Sequence, residues 1–202
     1  MSGLSFKIRS SIARFCAARR GATAVEFAII ALPFFTLIFG IIELGMFYMV
    51  STTLENATVY AARRIRTGEK NQTNGGTAAN FRSAICNNLG WLQADCTANL
   101  SVDVRTFNTF ADAYNVPDPI KTTTTTSGGT TVTTTDMDPT KLGYCTGNPG
   151  NIVLVRAYYQ WKLITPLMSQ AMERLSGGKT LITATAAFVN EPFDQATVVT
   201  CP

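Results

Sequence analysis

The residues best placed to do chemistry meet at one junction, Arg19-Arg20-Gly21-Ala22-Thr23-Ala24-Val25-Glu26-Phe27. A basic stretch ends in glycine, and five residues later a lone carboxylate stands inside an apolar run. A cut after Gly21 would give Ala22 a free α-amine, which is cationic near neutral pH. Glu26 lies one helical turn away and could compensate that amine within its own chain or on a neighbouring copy. A carboxylate in a membrane-spanning helix costs ~2.5–3.5 kcal/mol when central and less near the interface, so it needs a partner.

Other chemistries are poorly supplied. The chain contains no histidine. That excludes Ser-His-Asp and Cys-His mechanisms and every His-ligated metal site. No catalytic residue, cofactor site or metal site is assigned. Asp136 and Asp138 are two carboxylates without a calcium-loop signature, which is weak ground for a cation. The five cysteines are Cys16, Cys86, Cys96, Cys145 and Cys201. Their spacing lacks the close pair of a zinc site. The last four are an even set, suited to two disulfides in an oxidising compartment. Three pairings are open. The one favoured is Cys86 with Cys96 as a local clasp and Cys145 with Cys201 as a staple on the chain end.

The elements that must position the junction begin with an anchor. Residues 27–42 carry no charge. Extended to residue 50, the run would make about 36 Å of helix at ~1.5 Å per residue. That spans a hydrocarbon core of ~30 Å. A cleaved secretory signal has a shorter apolar region, with its cleavage site after it, and no such site follows Val50. Pro33 predicts a kink, because it removes one backbone bond and clashes with the Ile29 carbonyl. Ala24, Ala28 and Ala31 put small side chains on one face. Glu43, near the outer end, is expected as a solvated cap.

The net charge of +4 is uneven along the chain. Lys7, Arg9, Arg14, Arg19 and Arg20 all precede Glu26, and the remainder holds twelve basic against thirteen acidic residues. The basicity belongs to the leader, which argues against a nucleic-acid surface. Arg63, Arg64 and Arg66 are expected on a solvated helix face. With Lys70 they nearly balance the leader's cations, so charge counting decides orientation poorly. Arg19 and Arg20 abut the apolar run, and four cysteines lie beyond it. Together these place the leader in the cytoplasm.

The junction resembles the class III signal of type IV pilins, which prepilin peptidases cut. Glu26-Phe27 is similar to the Glu-aromatic pair of the Flp/Tad branch. RRGATAVEFAIIALPFFTLIFGIIELGMFY is similar throughout to the N-terminus of TadE-like pseudopilins, and ITATAAFVNEPF resembles their terminal strand, closing in Asn190-Glu191-Pro192-Phe193. The resemblance implies a minor pilin-like subunit of the tight-adherence pilus, with Gly21, Ala22, Glu26 and Phe27 as its processing site. Its implied partners are the inner membrane, the prepilin peptidase, other pilin-like subunits and the assembly platform. Its implied place is the bacterial inner membrane, single-pass, with the C-terminal domain periplasmic. An uncleaved single-pass adhesin or periplasmic binding module is the alternative, and an enzyme is not expected.

Beyond the anchor, Leu54, Ala57, Ala61 and Ile65 keep helical spacing, so one helix over 24–66 is expected, stopped by Gly68. Residues 69–77 read as a loop. Thr77 is the expected cap of a helix carrying Phe81, Ile85, Leu89 and Leu92. Residues 100–106 alternate as a half-buried strand, and 152–162 and 180–189 also read as strands. Thr165-Pro166 opens a short helix with Leu167, Met168, Ala171, Met172 and Leu175 as its stripe, ended by Gly177. Tyr158, Tyr159 and Trp161 are expected in the core or at its rim. Ten threonines around Ser127-Gly128-Gly129 leave two readings open, an exposed hairpin or a polar loop. The expected organisation is a leader over 1–21, a transmembrane helix over 22–50, and an extracytoplasmic domain over 51–202 with a Thr-rich excursion at about 117–140. The fold class is α+β: a long N-terminal helix, then a small, mainly antiparallel sheet with short helices.

Overall fold

The computed structural model describes residues 21–69, 76–127, 129–193 and 199–201. The leader up to Arg20 and most of the expected 69–77 loop lie outside the described residues. The chain forms two compact units, which divide between Ile42 and Glu43. The fold is α+β.

Helix α1 covers Ala22–Arg66, with Pro33 inside it. In the first unit it is the sole described element. Its large apolar side chains, including Phe27, Ile30, Leu32, Phe35 and Phe39, are exposed. A helix bare of partners and apolar all round has lipid or other helices as its natural surroundings. It is long and apolar enough to cross a membrane, consistent with a single-pass anchor.

In the second unit the same helix becomes amphipathic. Val50, Leu54, Ala57, Ala61 and Ile65 are fully buried, at the expected helical spacing. Arg64 pairs with Glu69 and Arg66 with Glu191 at the surface. Gly68 holds φ 79°, and the Phe193 ring occupies the space a Cβ would need there. The Glu191 N–H also donates to the Arg66 carbonyl at 3.0 Å. The helix stop and the closing Asn190–Phe193 stretch therefore form one joint.

Helix α2 covers Ala78–Cys86, with the Thr77 hydroxyl accepting from the Asn80 N–H as cap. The expected helix is cut short at Cys86: a 3-10 turn over Gly90–Leu92 and helix α3 over Gln93–Asn99 replace its end. The reason is covalent as well as steric. Cys86 bonds Cys96 across ten residues, with Cα atoms 5.6 Å apart, which folds the chain back.

Strand β1, Leu100–Phe107, is followed by the short helix α4, Phe110–Tyr114. Strands β2, Ile120–Ser127, and β3, Thr130–Met137, form a separate antiparallel hairpin. Of the two readings left open, the Thr-rich stretch takes the hairpin. Threonine suits an exposed pleat. Cross-strand hydroxyl pairs such as Thr124–Thr133 line it, and Gly129 takes φ 81° at the tip. Strand β4, Ile152–Lys162, helix α5, Pro166–Met172, and strand β5, Lys179–Val189, complete the chain. Helix α5 ends earlier than the sequence suggests. Leu175 lies buried beyond it in a bridge to Lys179, and Gly177 and Gly178 turn the chain into β5 with positive φ.

The main sheet is antiparallel in the order β1-β4-β5. Strand β4 is central and covered on both faces. Val153, Val155, Ala157 and Tyr159 join the core with α1 and α2, while Tyr158 packs with Leu175 and Leu181 on the other side. Burial pushes the Tyr144 phenol up to about 12, and raises Tyr158 as well. A second disulfide, Cys145 to Cys201, closes 56 residues. Disulfides of this kind contribute ~2–4 kcal/mol each by restricting the unfolded chain.

Candidate functional site

The junction lies at the start of α1. Gly21 immediately precedes the first helical residue, Ala22, and open space surrounds the position of its missing Cβ. From Ala22 to Glu26 the helix rises about 6 Å at ~1.5 Å per residue. Glu26 is exposed, and among the described residues its carboxylate has no hydrogen-bond or ion-pair partner. Phe27 beside it is 69% exposed. Both side chains thus project from a helix whose surroundings, in this unit, are open.

Glu43 opens the second unit and behaves in the opposite way. It is 1% exposed. Its carboxylate accepts the Ile164 N–H at 2.5 Å, the Thr165 N–H at 2.9 Å, and the Thr165 hydroxyl. The expected solvated cap is therefore a buried one. Thr165 is the N-cap residue of α5 but makes no side-chain cap of its own. Glu43 satisfies the backbone donors there instead, which a helix start requires. No local signal announces this, since the partners are 121 and 122 residues apart.

Comparison with known families gives one result. The family model described as TadE-like protein matches residues 21–63. Most of α1 is similar to that family. The match covers 43 of the 202 residues, and the rest of the chain lies outside it. No curated protein and no solved structure matches the chain.

The TadE-like segment begins at Gly21 and ends within the second unit, so it holds all three acids of the helix, Glu26, Glu43 and Glu55. All four disulfide cysteines lie beyond it. Asp138 turns inward to its own loop, accepting from the Thr140 hydroxyl and amide, and these bonds hold its carboxyl below the usual range. Among the described residues no group of three or more potential ligands could hold a metal.

One charged cluster outside the TadE-like segment is invisible to sequence reasoning. Asp103, expected on the open side of a half-buried strand, is 1% exposed. It accepts from Arg156 Nη2 at 2.7 Å, Arg105 Nε at 2.9 Å and the Gly143 N–H at 2.6 Å. Arg156 in turn donates to the Val116 and Pro117 carbonyls and lies 5.5 Å from the centre of the Tyr158 ring. The cluster ties both ends of the Thr-rich excursion to the sheet. The strand register places Asp103 opposite Arg156, and that register was the missing signal.

Replacing Glu43 with Ala leaves two part-buried amides without their acceptor. The expected cost is about 1–3 kcal/mol, the range for an unsatisfied buried group. Hydrogen exchange of the peptide spanning 160–172 checks it: exchange at 164 and 165 should rise about fivefold or more by the same energy scale. Unchanged protection would show that the carboxylate is incidental.

Proposed function

We propose that this chain is a minor pilin-like structural subunit, a pseudopilin, for biogenesis of a tight-adherence pilus, processed by a prepilin peptidase after Gly21. The chain enters the bacterial inner membrane leader-in and leaves the disulfide-bonded domain in the periplasm. Trimming converts Ala22 into a cationic terminus. Glu26 then joins that terminus, its own or a neighbour's, as the polar register point of packed apolar helices. A buried polar group that sets register at a cost in stability has precedent in helical assemblies.

The observation that carries this reading is the TadE-like match starting at Gly21, together with Glu26 left exposed and unpartnered among the described residues. Among the described residues a single copy offers that carboxylate no partner. A processed terminus and adjacent helices supply both a charge and a covering surface. The partners are then the peptidase, other pilin-like subunits and the assembly platform.

The intact mass of the protein purified from native membranes tests the processing step. Loss of residues 1–21 is the expected result. A full-length mass, in cells where the peptidase is active, would replace this reading with that of an uncleaved, membrane-tethered adhesin or binding module.

A further inference from the structure

The second unit contains a cavity of about 700 Å³ whose walls include Trp91, Trp161, Lys162, Ile164 and Lys179. Three of its features lack a use within the domain. Trp91 and Trp161 meet edge to face at 6.3 Å, and the Trp161 indole N–H is buried without an acceptor. Lys162 and Lys179 are register partners across β4 and β5, and neither ammonium has an acidic partner among the described residues. Ile164 is 70% exposed and Trp91 57%. Asp95 is the one acid on the wall, so the two lysines leave the cavity net positive.

The cavity's level relative to the apolar helix is set by a bond within the unit. Ile164 donates its amide to Glu43, the residue directly after the charge-free run. The apolar character does not stop there. Leu44, Tyr48 and Met49 further along the same helix are exposed. Val50, where the apolar run ends, lies about 10 Å beyond Glu43 at ~1.5 Å per residue. Ile164 therefore sits beside the last two turns of the apolar stretch, the depth at which a bilayer gives way to its headgroups. Tryptophan and lysine gather at that level because each combines an apolar body with a polar tip.

We propose that this cavity seats the headgroup of an anionic phospholipid from the membrane that holds α1. The phosphate lies between Lys162 and Lys179, which are register partners on one face of the β4–β5 pair. Trp91 and Ile164 enter the acyl boundary. The proposal rests on the membrane-anchor reading of α1. It adds a second, electrostatic attachment that holds the domain down on the bilayer surface rather than free on a stalk.

The chain's two tryptophans both line this cavity, so intrinsic fluorescence reports on it directly. The test uses the full chain in nanodiscs containing phosphatidylcholine or phosphatidylglycerol brominated near the carbonyl end of the acyl chain. Stronger quenching by the brominated phosphatidylglycerol is expected. Lys162→Gln and Lys179→Gln should each reduce that preference, by roughly fivefold per lysine. Equal quenching by the two lipids, or none by either, in a chain retained in the disc would overturn the headgroup site and leave the anchor intact. A chain that does not stay in the disc would overturn the anchor reading, and this site with it.

Discussion

A chain carrying Glu26→Ala is expected to be inserted and trimmed after Gly21 like the parent, and yet to fail in assembly. The Gly21–Ala22 bond is untouched by the change. What disappears is the single carboxylate within one turn of the new terminus. In a bilayer an unpaired ammonium is costly, and on insertion scales a central charge costs ~2.5–3.5 kcal/mol. If one such penalty recurred at every helix contact, incorporation would fall by a factor of about a hundred or more, since each 1.4 kcal/mol is tenfold. Piliation scored by electron microscopy, with the subunit probed in sheared and membrane fractions, reads the outcome. Intact mass of the same material separates failed processing from failed assembly. Normal piliation with a trimmed Glu26→Ala chain would remove the register role assigned to this acid.

The second large effect belongs to the domain. Asp103→Ala leaves the Arg156 guanidinium, 6% exposed, without its counter-charge. Removing one partner of a buried ion pair costs ~3–5 kcal/mol, more than the net worth of the pair itself. At about 2–4 °C per kcal/mol for a chain of this size, the thermal midpoint should fall by roughly 6–20 °C. Differential scanning fluorimetry of the full chain in detergent measures it. Loosening should begin at residues 116–142, which the cluster holds through the Val116 and Pro117 carbonyls and the Gly143 amide. An apolar double variant, Asp103→Leu with Arg156→Met, should regain much of the loss. A shared drop in both variants would instead point to packing volume as the cause.

Legibility in the sequence followed locality. The anchor, its extension through Leu54, Ala57, Ala61 and Ile65, the Thr77 cap and the strand pattern at 100–106 all depend on residues a few positions apart. Periodicity and capping chemistry act over one or two turns, so the chain displays them directly. The fate of the Thr-rich stretch was half legible: Gly-Gly between threonine runs supports a hairpin, and the structure makes one. Helix ends were less legible. The clasp from Cys86 to Cys96 ended α2 early, and Leu175, which fits the α5 stripe by spacing, leaves the helix for a bridge to Lys179.

What the sequence determined by itself is the apolar helix, the lone Glu26 near Gly21 and the even set of cysteines beyond the anchor. These are properties of composition and short spacing, and no folding is needed to establish them. The tertiary structure alone decided the roles of Glu43 and Asp103. Each is an acid at a position that reads as solvated, and each is buried because a partner 53 or more residues away arrives with matching donors. A carboxylate's environment depends on which donors surround it in space. Only strand register and loop closure bring those donors in, and neither is encoded within a few residues of the acid.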